Sequence, residues 1–394
     1  MKNIGRILKN PYNLGWDPRF ISTLKINNSD FNGAEEFSNE QQHLNNPQTT
    51  FFEERIAALE GGISAVSVKS LSAARLLLIK NLLRGGDNIV TFNSFTLFHK
   101  EGNKYRRLGI DVRLSEEGTL SSFKDLVDAK TKLIYLETIS SEYQNIPDFQ
   151  KIITFAKERQ IPVLVDNTAG AAGHIIRPIK LGANLVIEST AGLIGGGKQF
   201  FGAVIIEGGN YNWRNGKFPH LASPSIQYFD LKQGKLVAEK EINFSLTQFL
   251  KKKGNAIDNR FTIPAQPFVF IKELGKVPEL VKKQSENTLD LALWLQDHEW
   301  VKTVEFVGLI NSPNHFLALR YFRNSFGNSL SFSLRGSAEK FEVFLAKLNE
   351  TNPQLFSFKY NPISSKIYLK IGTESIESIK EWLSAAFSTS LVSK

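Results

Sequence analysis

The sequence predicts an α/β protein: a mostly parallel sheet covered by helices on both faces, followed by a smaller α+β unit. Strand-length segments at residues 133–136, 161–165 and 203–206 are apolar almost throughout, the pattern of strands buried on both faces. They alternate with segments of helical spacing, and after about residue 257 the helices become fewer and longer and the strands lie further apart.

The first fifty residues are polar and irregular, with Asn27-Asn28 and Asn45-Asn46, and are expected to form an arm over residues 1–50. Phe52, Ile56 and Leu59 then fall at helical spacing, and Gly61-Gly62 supplies a stop. A second helix is predicted over 70–83, ended by Gly85-Gly86, before a short buried strand at 89–92. The strand at 133–136, a helix at 148–158 and strands at 161–165, 185–187 and 203–206 complete a large domain over residues 51–257. The remaining residues, 258–394, carry predicted helices at 278–296, 338–348 and 375–387 and strands at 304–306, 329–334 and 367–371. There is no internal repeat.

With 394 residues, 42% of them hydrophobic, the chain can bury a sizeable core. It has no cysteine, which excludes disulfides, thiolate metal sites and cysteine nucleophiles, and an oxidising compartment is not implied. The N-terminus has basic residues but no apolar run of signal-peptide type, and no stretch approaches a membrane span, so a soluble, cytoplasmic protein without a membrane partner is expected. The net charge of +9 is dispersed apart from Lys251, Lys252 and Lys253, and no nucleic-acid-reading motif accompanies it, so a nucleic-acid partner is not expected.

Open α/β sheets bind ligands beyond the carboxyl ends of their strands, which singles out residues 92–98, 137–144, 166–173 and 188–198. Asp166 closes the predicted strand at 161–165; its carboxylate can accept from a cationic ring nitrogen, or it can cap the following turn. Gly192-Leu-Ile-Gly-Gly-Gly197-Lys198 has the spacing of a phosphate-cradling loop, but Gln199 replaces the Ser or Thr that such loops need. A strand rather than a helix follows, so nucleotide hydrolysis is rejected.

Several segments in order, Ile56-Ala-Ala-Leu-Glu-Gly-Gly62, Ile161-Pro-Val-Leu-Val-Asp-Asn-Thr168, Leu193-Ile-Gly-Gly196 and Gly216-Lys-Phe-Pro219, resemble O-acetylhomoserine sulfhydrylases and cystathionine γ-synthases. Ser285-Glu-Asn287 and Val307-Gly-Leu309 continue the resemblance, which runs from about residue 46 to 334. It implies the fold-type-I architecture of pyridoxal-phosphate enzymes, a sheet of about seven strands, pyridoxal phosphate as the family cofactor, and a dimer or tetramer with shared active sites.

The family lysine that forms an imine with the cofactor lies in a Ser-x-Thr-Lys-Phe-Ile-Gly-Gly stretch. Here that stretch is Ser189-Thr-Ala-Gly192-Leu-Ile-Gly-Gly196, which puts Gly192 at the lysine position. A glycine can neither form the imine nor shuttle a proton. Lys198, further along the same loop, is the candidate stand-in amine. The resemblance also sets Ala191 at a phosphate-binding Thr, Gln41 and His43 at a Tyr and Arg donated across the dimer, and Ser70-Leu71-Ser72 at the phosphate-capping turn. Ser141 stands for an Asn and Tyr368 for a carboxylate-binding Arg. Three positions match as cofactor contacts: Phe95 for ring stacking, Asp166 for the pyridine nitrogen and Ser189 for the phosphate. Each also has a structural reading, as core, cap and loop donor.

The expectation is a diverged, non-catalytic homologue of the sulfur amino-acid enzymes that binds the cofactor poorly. It would act as a homo-oligomer or as the partner or regulatory subunit of an active relative. The alternative is a pyridoxal-phosphate-dependent O-acylhomoserine sulfhydrylase or cystathionine-type lyase or transferase with altered cofactor binding.

Overall fold

The computed structural model describes residues 47–92, 94, 96–115, 120–140, 144–191, 202–221, 227–230, 235–238, 245–252, 266–336, 338–350, 357–361 and 365–392. The expected arm, up to residue 46, lies outside the described residues. The chain enters through α1 (Pro47–Glu60) and turns at Gly61, whose φ of +82° lies in the left-handed region that favours glycine. The next elements are β1 (Ser64–Val68), α2 (Leu71–Leu82), β2 (Asn88–Phe92), a π-helical turn (Thr96–Lys100), α3 (Gly102–Arg106), β3 (Asp111–Ser115), α4 (Leu120–Leu126) and β4 (Thr131–Glu137). Then come α5 (Phe149–Glu158), β5 (Val163–Asp166), β6 (Leu185–Ser189) and β7 (Ala203–Glu207). Two helices have side-chain caps that make their starts legible: Ser70 accepts from the Ala73 amide, and Asp148 from the Lys151 amide.

These strands form one seven-stranded sheet in the order β1-β7-β6-β5-β4-β2-β3. The β2–β3, β2–β4, β4–β5 and β5–β6 pairs are parallel, whereas β7 runs antiparallel to β6 and to β1. Alternate residues of each strand feed opposite layers. Ile134, Val163, Val165, Val186 and Ile206 pack towards α1 and α5 with Phe52, Ile56, Phe149 and Ile152. Leu133, Tyr135, Leu164, Leu185, Ile187 and Ile205 pack towards α2 with Leu78, Ile79 and Leu82. Leu164 and Ile187 are fully buried in interior strands, as the parallel-sheet reading requires.

Five of the seven strands were legible as apolar runs; β1 and β3 were not. The short β1 is built of Ser, Ala and Val, and β3 is an edge strand whose Asp111 is exposed and whose Arg113 is half-buried. An edge strand needs no continuous apolar run, so its pattern is weak.

Beyond β7 lie the hairpin β8 (Gln227–Asp230) and β9 (Lys235–Ala238), then α6 (Leu246–Lys252) and α7 (Gln266–Leu274). The C-terminal part contains α8 (Val277–Gln296), β10 (Val301–Glu305), α9 (His315–Tyr321), β11 (Ser329–Leu334), α10 (Ala338–Glu350), β12 (Ser357–Asn361), β13 (Lys366–Lys370) and α11 (Ile376–Val392). Its sheet, ordered β10-β11-β13-β12, is antiparallel throughout and has its own core around Leu295, Phe332, Phe344, Ile367 and Leu383.

Glu207 ends β7 and is buried, and among the described residues no cation pairs with it; it accepts hydrogen bonds from Trp213 Nε1 (2.8 Å), Ser245 Oγ (2.7 Å) and the amides of Leu246 (3.1 Å) and Thr247 (3.0 Å). It thus fastens the start of α6 to the sheet. Glu207→Ala strands several buried donors and is expected to cost about 3 kcal/mol or more, measured by urea unfolding.

Candidate functional site

The parallel strands bring their polar residues together at one edge of the sheet. Ser94 follows β2, Glu137 and Thr138 end β4, Asp166 and Asn167 end β5, and Ser189 ends β6. Ser94 Oγ donates to Glu137, and Glu137 stands opposite Asp166 in the strand register. Of the residues assigned by resemblance, the fold brings Asp166 and Ser189 together: Thr168 Oγ1 donates to Asp166 Oδ1 (2.7 Å) and accepts from the Ser189 amide (3.0 Å). Phe95, Gly192 and Lys198 lie outside the described residues, as do Gln41, His43 and Ser141. Tyr368 is buried in β13, opposite Ser331 and Lys359.

Asp166 is almost enclosed. Oδ1 accepts from the Thr168 amide (3.1 Å) and hydroxyl (2.7 Å); Oδ2 accepts from Tyr135 Oη (3.1 Å) and, more distantly, from Arg75 Nη1 (3.5 Å). It therefore caps its own turn, as the structural reading expected, and is also paired with a cation. Burial, followed by the nearby Asp166 charge, pushes the Tyr135 phenol well above its ordinary pKa, so it stays a donor.

Arg75 comes from α2 with its side chain 5% exposed. Its Nε and Nη2 donate to the two oxygens of Glu101 at 3.0 and 2.9 Å, a forked pair. Tyr105 Oη also donates to Glu101, at 2.6 Å, and Ser72 hydrogen-bonds it. Burial works against ionisation of Glu101, but Arg75, Tyr105 and Ser72 outweigh it and leave its pKa below the ordinary value. Burial opposes the Arg75 charge too, and Tyr135, Glu101 and Asp166 outweigh it, so the guanidinium is firmly protonated. Sequence reasoning missed Arg75, though a signal existed: it falls on the same helical stripe as Leu71, Leu78, Ile79 and Leu82.

Beneath the site lies a second polar group that sequence reasoning also missed. Glu60 and Glu188 are both buried and hydrogen-bond each other. Glu60 Oε1 accepts from Asn167 Nδ2 (2.7 Å) and Glu188 Oε1 from the Ala172 amide (2.7 Å), while Oε2 of each is buried without a permanent donor. A proton shared between them satisfies both oxygens. That amide is presented by a strained turn, since Ala171 and Ala172 have φ of 54° and 53°, in the left-handed region. Gly173 follows at φ +70°, where a Cβ would lie 2.6 Å from the Leu59 carbonyl.

These features define a fold-type-I pyridoxal-phosphate enzyme scaffold. The family described as Cys/Met metabolism PLP-dependent enzyme matches residues 20–355, and the chain belongs to it. The homocysteine/cysteine synthase of Saccharomyces cerevisiae is 35% identical over 305 residues, 74% of this chain and 65% of that protein. O-acetyl-L-homoserine sulfhydrylase 1 of Thermus thermophilus is 33% identical over 323 residues, 79% of this chain and 74% of that protein. In structure, the chain is similar to a putative O-acetylhomoserine (thiol)-lyase from Campylobacter jejuni solved with N'-pyridoxyl-lysine-5'-monophosphate. That likeness has a TM-score of 0.75 at 22% identity and covers 88% of this chain and 87% of the other. The O-acetylhomoserine sulfhydrylase of Wolinella succinogenes matches with a TM-score of 0.70 at 24% identity, covering 88% and 99%.

The family's cofactor is pyridoxal phosphate, and the described residues matched to it already bond to groups of the protein itself. Both Asp166 oxygens are engaged by the protein's own donors, one of them a cation. At the turn matched to phosphate binding, the Ser70 hydroxyl caps α2 and the Ser72 hydroxyl meets Glu101; the Ser189 hydroxyl accepts from the Ala191 amide (3.2 Å). Among the described residues no group of side chains suits a metal ion, and no helix is long and apolar enough to cross a membrane.

The acid pair carries a pH prediction. Burial is the leading cause that raises Glu60 from 4.5 to about 7, and burial and then the Glu60 charge raise Glu188 well above the carboxylate range. A folded pKa raised above the unfolded one gives stability that is full below about pH 4.5 and is lost as pH climbs through about 7 and beyond. Each proton the fold retains there costs about 1.4 kcal/mol per pH unit. Glu188→Gln keeps an acceptor for Ala172 and offers Glu60 an amide donor. It should flatten the fall in unfolding free energy as pH rises from about 4.5 through about 7 and beyond, measured by urea unfolding across that range.

Proposed function

We propose that this family member does not perform the family's imine chemistry. It serves instead as a non-catalytic homologue of the sulfur amino-acid enzymes, self-associating or acting as a partner or regulatory subunit of an active relative. The observation that carries the reading is Gly192, in the Ser189-Thr-Ala-Gly192-Leu-Ile-Gly-Gly196 stretch where related enzymes place the imine-forming lysine. With no amine at that position, neither the bond to a cofactor aldehyde nor the proton transfer it would support is available. The engaged hydroxyls of Ser70, Ser72 and Ser189 support the same reading, because an incoming phosphate would have to displace bonds already made.

A second reading is a sulfhydrylase or a cystathionine-type lyase or transferase with altered cofactor binding. The relatives favour it: proteins about a third identical over most of the chain are named as homocysteine synthases and O-acetylhomoserine sulfhydrylases. On that reading Lys198 would stand in as the amine.

The two are separated by incubating the purified protein with pyridoxal phosphate, recording its absorption and reducing with borohydride. No covalently retained cofactor and no thiol-dependent turnover of O-acetylhomoserine are expected. A reducible imine band, or turnover abolished by Lys198→Ala, would establish the second reading. Gly192→Lys alone is expected not to yield a stably coloured protein. The lost Tyr, Arg and Thr phosphate contacts, each worth about 1.5–3 kcal/mol, leave affinity lower by about a thousandfold or more.

A further inference from the structure

Arg75 has no packing reason to be charged. It occupies the buried stripe of α2 among Leu78, Ile79 and Leu82, where an apolar side chain would avoid the desolvation of a guanidinium. Its pair with Glu101 uses only Nε and Nη2; the remaining nitrogen, Nη1, is the one that reaches Asp166 Oδ2. Glu101 is itself held by Tyr105 and Ser72, so the guanidinium is fixed from the side opposite Asp166. Among the described residues Arg75 is the cation that pairs with both Glu101 and Asp166, and all three are buried.

We propose that Arg75 is the resident counter-cation of Asp166 and determines ligand specificity at this end of the cleft, excluding ligands whose recognition depends on a protonated ring nitrogen. A ring N–H⁺ brought to Asp166 would compete with Arg75 for one carboxylate and place two positive charges about 5 Å apart. At the effective dielectric of a partly buried site, this lowers affinity by about a hundredfold. The inference does not rest on the absence of an imine, because it concerns the ring nitrogen and not the aldehyde.

Pyridoxine 5'-phosphate, which has the ring and phosphate but no aldehyde, tests it without imine chemistry. Calorimetric titration should show weak binding to the wild-type protein and binding about ten- to a hundredfold tighter to Arg75→Gln, with the absorption band of the protonated ring. The gain should vanish in Arg75→Gln/Asp166→Asn. The double change Arg75→Gln/Glu101→Gln removes both halves of the buried pair, keeps the fold if Arg75→Gln alone does not, and should show the same gain. Equal affinity of wild type and the Arg75 variants, or a gain that survives Asp166→Asn, would overturn the proposal. Imine formation in the wild type would sink the proposed function and leave this result standing.

Discussion

A sheet buried on both faces has one place to put polar side chains, the ends of its strands. Parallel strands place those ends together, and here that constraint gathers Ser94, Glu137, Asp166 and Ser189 into one edge. The strand interiors, from Ile134 to Ile205, are apolar because α1 and α5 cover one face and α2 covers the other. The polar edge is therefore a by-product of how the core closes, and it exists whether or not a cofactor is held there.

What distinguishes this edge is the degree to which it is satisfied from within. An isolated buried carboxylate is costly, and Asp166 avoids the cost with two donors on each oxygen. Arg75 brings the cation, Glu101 steadies it, and Tyr105 and Ser72 steady Glu101. The Glu60–Glu188 pair below solves the same problem differently, with a retained proton in place of a cation. One polar region thus contains two buried acid clusters, one offset by an arginine and the other by protonation.

This internal closure matters for how similarity is read. Identity of about a third to named sulfhydrylases establishes the family and the scaffold. Chemistry, however, resides in individual side chains, and a scaffold can persist while its site changes. On the proposed reading, Gly192, Ala191 and the engaged hydroxyls of Ser70, Ser72 and Ser189 are changes of that kind.

By itself the sequence determined the layer order, most of the strands and the position of Asp166 at a strand end, because continuous apolar runs and glycine stops are local signals. It also displayed Gly192 at the position that the resemblance matches to the family lysine. It did not disclose the edge strand β3, whose exposed Asp111 breaks the apolar run, or the small-residue strand β1. Only the tertiary structure decided the partners of Asp166. Arg75 lies 91 residues away in the chain and Tyr135 lies 31 away. Likewise Glu60 and Glu188 meet only when α1 docks against β1 and β7 of the sheet. Pairings of this kind follow from the stacking of layers, and no local period in the sequence records which buried charges will face each other.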